Sequence, residues 1–514
     1  MQSLIKGIGN LSIDKLQLLL SFLAICIAAI VLYNQHGVID PDSVLYLEAA
    51  RLFASGQWHE AYSVFNWPFY SLCIATVHKI TSLEIHQSAI LLNIVLFTIT
   101  TYSFLKIIAL CGGKNLEILT GALILFSSQQ IVGNTLGILM RDEGFWAFLL
   151  TAIVFFIRFS KSRRYPDALY WQLSIIVATL FRIEGIGFLI LLPLSLITFN
   201  KSAALQSVLN YFKSNFLNIG LITLICVAAL ISPYVTIQDF GRLDEIFGVH
   251  AYQQMTSKLL DKTEIMSSEV LGKYLDDYAV QGLLITFAFA IVSELIQSSG
   301  RLTSLLGFLG LLTKECIIEK PIRKILYFAA TIAVLNLAFI TIKAFVITHR
   351  YIHAFSFILM IFGAFYLAHL CKQLQTKENF PQKILAVFTV IYLSISLIKN
   401  TLPENQDLFT QQKAVAWLKQ ENVAKKPIFY DESRARYYAN EAFLGKFNRY
   451  QRVITKHINN GSITGYDYLM LTFSSDDMGY QQYIDNSVSG YIELKRFCTQ
   501  DYKVCSVIFK KKPH

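Results

Sequence analysis

Charge is scarce in this chain. Asp, Glu, Lys and Arg together make up 16% of its 514 residues, against about 25% in an ordinary soluble domain. Hydrophobic residues make up 54%, more than one soluble core can bury, so much of this surface is expected to face lipid. Metal-ligating clusters are lacking too: the eight cysteines are scattered, and none sits with histidine at zinc spacing. Cys26, Cys73 and Cys226 lie in apolar runs, and Cys111, Cys316 and Cys371 fall near expected cytoplasmic ends. No internal repeat or low-complexity tract stands out.

What charge there is has a net value of +10. In a soluble protein that would suggest a nucleic-acid partner. Here the basic residues cluster in short connections between apolar runs, the pattern of membrane topology signals, and no nucleic acid is expected. The N-terminus carries Lys6 and Lys15 ahead of a long apolar run. A secretory signal has a shorter core and a small-residue cleavage site, so this run reads as an uncleaved anchor and first span.

A span needs about 20 mainly apolar residues. The best candidates are 16–33, 88–110, 116–136, 216–237, 325–347 and 351–370, followed by the shorter 145–157, 168–181, 186–199, 280–296 and 384–397. Two further stretches, 68–80 and 302–312, are short and are expected to lie at the interface or re-enter it. The expected fold is a polytopic α-helical membrane protein of about eleven spans, up to about thirteen if both are counted.

Charge asymmetry sets the expected orientation. With the N-terminus inside, the inner connections hold Lys106, Lys114, Arg158, Lys161, Arg163, Arg164, Lys201, Lys213, Arg301, Lys314, Lys320, Arg323, Lys324, Lys372, Lys377 and Lys383. That satisfies the positive-inside rule and places the C-terminus outside. The outer face then collects a first loop (34–87), a second loop (238–279) and the tail. A membrane domain is expected over 1–399 and a small extracytoplasmic α/β domain over 400–514, with a helix at 411–420 and strands at 427–430, 468–473 and 504–509. Cys498 and Cys505 either form a short-loop disulfide there or remain free thiols.

Four charged groups fall on the expected outer side. The first loop begins with Asp40, Pro41, Asp42 and Ser43; Asp42, Tyr46 and Ala50 repeat at helical spacing, with Ser43 as a candidate cap. A carboxylate at such a helix start can take a proton from an acceptor hydroxyl, and it can equally be a plain cap. Arg141, Asp142 and Glu143 open a span, where ionised side chains are tolerated only at an interface or beside a polar cavity. Arg182 and Glu184 are confined to a turn between two short runs, as in a salt-bridged hairpin. Arg350 and Tyr351 precede another span, where an arginine can hold a phosphate or serve as an interfacial anchor; Lys343 can snorkel to the same surface.

In their order along the chain these motifs resemble those of GT-C glycosyltransferases. The nearest likeness is to bacterial relatives of the protein O-mannosyltransferases and the aminoarabinose lipid A transferase. Asp42, Tyr46, Ala50 and Arg51 match the first-loop pattern, and Asn66, Trp67, Pro68, Phe69 and Tyr70 look like the aromatic segment that follows it. Asp142, the group Arg182, Glu184 and Gly185, and the pair Arg350 and Tyr351 match later elements. Two positions depart from the pattern: Ser43 replaces a second acid, and Asn66 replaces a phosphate-binding lysine.

The resemblance implies a transferase that moves a hexosyl or pentosyl group from a polyprenyl-phosphate carrier to a glycan, lipid or protein acceptor at the outer face of a cytoplasmic membrane. It implies Asp42 as general base, and Asp142 as a group that orients the acceptor or holds a divalent cation. Asp40, Tyr46, Arg51, Arg141, Glu143, Arg182, Glu184, Arg350 and Tyr351 would line the substrates. Beside it stand a secondary transporter, a polysaccharide polymerase or ligase, and a non-catalytic binder of lipid-linked sugar.

Overall fold

The computed structural model describes residues 11–35, 38–197, 204–221, 223, 249–271, 274–313, 318–374, 380–402, 409–443, 462–474, 488 and 490–513. Most of the expected span 216–237 and part of the loop 238–279 lie outside these residues, as do Lys6, Lys201, Cys226, Lys314, Cys316 and Lys377. The chain divides into two compact units. The first comprises Met1–Val31, Leu91–Leu136 and Met140–Thr401; the second comprises Leu32–Ile90, Gly137–Leu139 and Leu402–His514. The first outer loop, expected within the 1–399 domain, thus groups with the tail.

The helices follow the apolar runs. In chain order they are α1 (Ile13–Asn34), α2 (Pro41–Ala54), α3 (Trp58–Val64), α4 (Phe69–Thr81), α5 (Ile85–Leu110), α6 (Asn115–Phe126), α7 (Asp142–Ser162), α8 (Tyr165–Phe181) and α9 (Gly185–Leu191). They continue with α10 (Ala204–Ser214), α11 (Val249–Ile265), α12 (Ala279–Ser299), α13 (Arg301–Leu312), α14 (Lys320–Ala344), α15 (His353–Gln373), α16 (Phe380–Thr401), α17 (Thr410–Glu421) and α18 (Ser433–Ala439). Among the described residues seven helices are long and apolar enough to cross a membrane, or eight if α6 and the bent segment Gln129–Ile138 count as one. The expected runs 168–181 and 186–199 appear as shorter helices, the second passing into a 3-10 turn at Pro193.

Within the first unit, α15 is the central element. It is apolar on all sides and packs against α6, α13, α14 and α16. Helix α13 lies along its first half, because Gly307 and Gly310 leave room for Leu359 and Phe362 of α15; a Cβ at either glycine would overlap them. The stretch 302–312 therefore packs lengthwise on α15 and does not lie flat at an interface.

The same region corrects the expected topology. The Ser298 hydroxyl meets His349 Nδ1 at 2.7 Å, and the Ser299 and Ser356 hydroxyls meet at 2.7 Å. The end of α12 and the start of α15 thus share one end of the bundle. Arg301, counted as an inner residue from charge alone, stands at the same end as Arg350. A charge count treats every cation as a topology signal, whereas Arg301 is the first residue of a half-length helix packed along α15.

The second unit holds a four-stranded sheet of β1 (Ile428–Tyr430), β2 (Tyr468–Ser474), β3 (Tyr491–Cys498) and β4 (Val504–Lys511), in the order β1-β2-β4-β3. β1 and β2 are parallel; the other pairs are antiparallel. Alternation along β2 buries both faces. Met470 joins Ile508 beneath Ala414, Val415 and Leu418 of α17, while Leu469 and Leu471 join Val507 and Phe429 on the other face. Each such side chain contributes roughly 1.5–3 kcal/mol by burial. A disulfide joins Cys498 and Cys505 across the β3–β4 pair.

Candidate active site

Helix α7 begins with Asp142 and Glu143, and negative charge suits a helix N-terminus. Asp142 is 1% exposed. A carboxylate this deep needs a partner, and it has one: Arg182 of the α8–α9 turn forms an ion pair with it. Arg182, itself 4% exposed, also grips Glu184 in a fork, Nη2 to Oε1 at 2.7 Å and Nε to Oε2 at 3.2 Å.

The turn that presents these two residues is tight. The Gly185 N–H donates to Arg182 O at 3.1 Å, and a Cβ on Gly185 would come within 2.9 Å of the Thr179 backbone. Asn336, halfway along α14, donates to Glu184 O at 2.9 Å and fixes the turn from the other side.

The α14–α15 connection brings a third helix pair to the same place. The Tyr351 ring lies under the Arg182 guanidinium at 4.4 Å, a cation–π contact. Arg350 Nη1 stands 4.0 Å from Asp142 Oδ2 and 3.2 Å from Met140 Sδ. Its side chain is 28% exposed, the most open of this buried set. Phe145, Phe188, Ala333, Ile340 and Ala354 close an apolar wall around a small hollow that these residues share.

Glu143 is 0% exposed, and neither of its oxygens has a hydrogen-bond partner among the described residues. His353 is also buried without a hydrogen bond, its ring edge-to-face with Trp146 at 5.0 Å. At the rim, His349 pairs with Glu294, which also accepts from Ser298 at 2.9 Å.

In the second unit, Asp40 caps α2 by accepting from the Asp42 N–H at 2.9 Å. This corrects the expected cap: Ser43 is the third residue of the helix, and its hydroxyl donates to Ile138 O. Asp42 is half-buried in the first turn. Tyr46 is buried edge-to-face with Phe65 at 5.2 Å and Tyr70 at 5.4 Å, so it holds the aromatic segment after Pro68 in place. Arg51 pairs with Glu48 at 2.6 Å and lines a groove of about 820 Å³ with Glu84, His86, Tyr437 and Glu441. The Tyr437 hydroxyl meets His86 Nδ1 at 2.8 Å, and the Tyr438 hydroxyl accepts from the Ile39 N–H at 3.1 Å.

The structure therefore brings together Asp142, Arg182, Glu184, Arg350 and Tyr351 in the first unit, with Arg141 and Glu143 beside them in sequence. Asp40, Asp42, Tyr46 and Arg51 fall in the second unit. Sequence reasoning missed Asn336, His353 and Trp146. A lone Asn in the run 325–347, and a His two residues after Tyr351, were the available signals.

Two solved structures align with the chain almost from end to end. One is ArnT from Cupriavidus metallidurans bound to undecaprenyl phosphate: 12% identical, covering 96% of this chain and 97% of that one, with a TM-score of 0.48. The other is the same protein in the apo state: 12% identical, 95% and 97% covered, with a TM-score of 0.37. The chain resembles ArnT. No protein-family model matches it, and no curated protein does.

Proposed function

We propose that this chain is an inverting GT-C-type glycosyltransferase. It would move a sugar from a polyprenyl-phosphate carrier to an acceptor hydroxyl at the outer face of a cytoplasmic membrane. The observation that carries the reading is Asp142, buried between Arg182 and Arg350 at one end of an apolar bundle. Ionisable groups held in such a place are expected to serve a function.

The donor is a phosphodiester. As its bond to the anomeric carbon breaks, the departing phosphate gains a second negative charge, so a cation beside it stabilises the transition state more than the ground state. Arg350, the more exposed arginine, would make that contact. Arg182 is committed to Asp142 and Glu184, and would keep both in register. Asp42 would take the acceptor proton as the acceptor oxygen attacks. Asp142 would orient the acceptor.

The test is stereochemical. Purified protein given synthetic polyprenyl-phosphate sugars and envelope acceptors should release polyprenyl phosphate and form a product of inverted anomeric configuration, read by NMR. A product of retained configuration contradicts direct displacement, and accumulation of donor across a membrane without cleavage would favour a transporter.

A further inference from the structure

We propose that the first unit carries a second anion site, built to take the phosphate of a lipid headgroup, at the N-terminus of α13. It does not depend on the transferase reading. A cavity of about 390 Å³ lies where three chain features meet: the break after α6 at Ser128, the turn at Gly300, and the last turn of α16. Pockets of this size suit small ligands.

The chemistry of the lining has one sign. Arg301 and Lys399 both border the cavity, no acidic residue does, and neither cation has an ion-pair partner among the described residues. Glu294, one turn back on α12, is taken by His349 and Ser298.

The backbone adds to this. α13 starts at Gly300 with no side-chain cap, and its first intrahelical bond runs from Ser304 N to Gly300 O at 2.8 Å. The N–H groups of Arg301, Leu302 and Thr303 therefore have no acceptor within the helix, and the helix dipole favours an anion before them.

Thr303 supplies an independent indication. It is 6% exposed and lines the cavity, and its hydroxyl makes no hydrogen bond among the described residues. Its hydroxyl borders the cavity, and an anion seated before α13 would accept from it. A guanidinium fork, an ammonium, amides and a hydroxyl approach from different directions, which suits the several oxygens of a phosphate.

The surroundings indicate a lipid as the source. Leu305 of α13 is exposed, and so are Ile391, Ile395 and Ile398 of α16, leaving apolar flanks for chains to lie against.

The experiment is native mass spectrometry of the full-length protein in detergent, titrated with phosphatidylglycerol, diacylglycerol or inorganic phosphate. Wild type should retain phosphatidylglycerol roughly tenfold or more tightly than the doubly substituted Arg301→Gln, Lys399→Gln protein. Thr303→Val should weaken retention severalfold, and diacylglycerol should not be retained.

Equal retention by wild type and a double variant of unchanged unfolding temperature overturns the site. If the double variant misfolds, Thr303→Val decides: unchanged retention means diffuse surface charge and overturns it. Displacement of phosphatidylglycerol by inorganic phosphate supports phosphate as the group recognised. Binding of inorganic phosphate alone, with no retention of phosphatidylglycerol, overturns the lipid assignment.

Discussion

Arg350 Nη1 lies 4.0 Å from Asp142 Oδ2, while Arg182 holds the other oxygen of the same carboxylate. The two arginines differ in what they can do. Arg182 is shut in by two acids and a tyrosine ring, whereas Arg350 reaches the more open side.

Removing Arg182 leaves Asp142 and Glu184 buried without their cation. Breaking such a pair from one side costs about 3–5 kcal/mol. Arg182→Met is expected to lower the unfolding temperature of the detergent-solubilised protein sharply and to abolish activity with it. An unchanged unfolding temperature would mean that the network carries little of the fold.

Arg350→Gln should behave in the opposite way. Stability should change by less than about 1 kcal/mol, since the side chain is partly exposed. Loss of one charged contact to a phosphate is worth about 1.5–3 kcal/mol, so kcat/KM for the lipid-phosphate donor should fall between tenfold and a hundredfold. A variant with normal kinetics would move the phosphate contact elsewhere.

The helical plan was legible in the sequence because long apolar runs mark their own helices. The acids and arginines at their ends were legible because charge next to lipid is costly. What failed was pairing at a distance. Nothing local says that 302–312 descends beside Leu359 and Phe362, and so Arg301 was placed at the wrong end. The cap passed from Ser43 to Asp40 because Pro41 suits the first helical position and starts α2 earlier. Strand β3 went unread because Glu493, Lys495 and Arg496 give it the polar look of an edge. Asn336 matters through its bond to the distant turn at Glu184, and His353 through its packing on Trp146 of α7.

The tail offers a prediction about pH. Burial, and then the neighbouring charge of Glu432, push the Asp431 carboxyl well above the usual range. The folded protein therefore favours the protonated form. This group's contribution to stability is fully present below its unfolded value of about 3.9 and is lost as pH rises through the raised folded value. Asp431→Asn removes the titration, and its amide oxygen can still accept from the Thr472 N–H, which now donates to Asp431 Oδ2 at 2.7 Å. The variant should unfold at a higher temperature at pH 8, with a flatter stability profile between pH 5 and 8. An unchanged profile would show that Asp431 is ionised in the fold.

The disulfide between Cys498 and Cys505 tests which side the tail occupies. Disulfides persist in oxidising compartments. In intact cells both thiols should resist a membrane-impermeant maleimide and become labelled after mild reduction. Labelling that needs membrane disruption would place the tail in the cytoplasm. Closing a loop this short is worth about 2–3 kcal/mol at most, so Cys498→Ser with Cys505→Ser should still fold.

The most direct measurement is single-turnover sugar transfer from a synthetic polyprenyl-phosphate donor by wild type and Asp42→Asn, with donor binding measured on the same samples. The account predicts transfer by wild type, and loss of at least about a hundredfold in the variant at unchanged donor affinity, the scale of general-base catalysis. Transfer that survives in Asp42→Asn at the wild-type rate would contradict it.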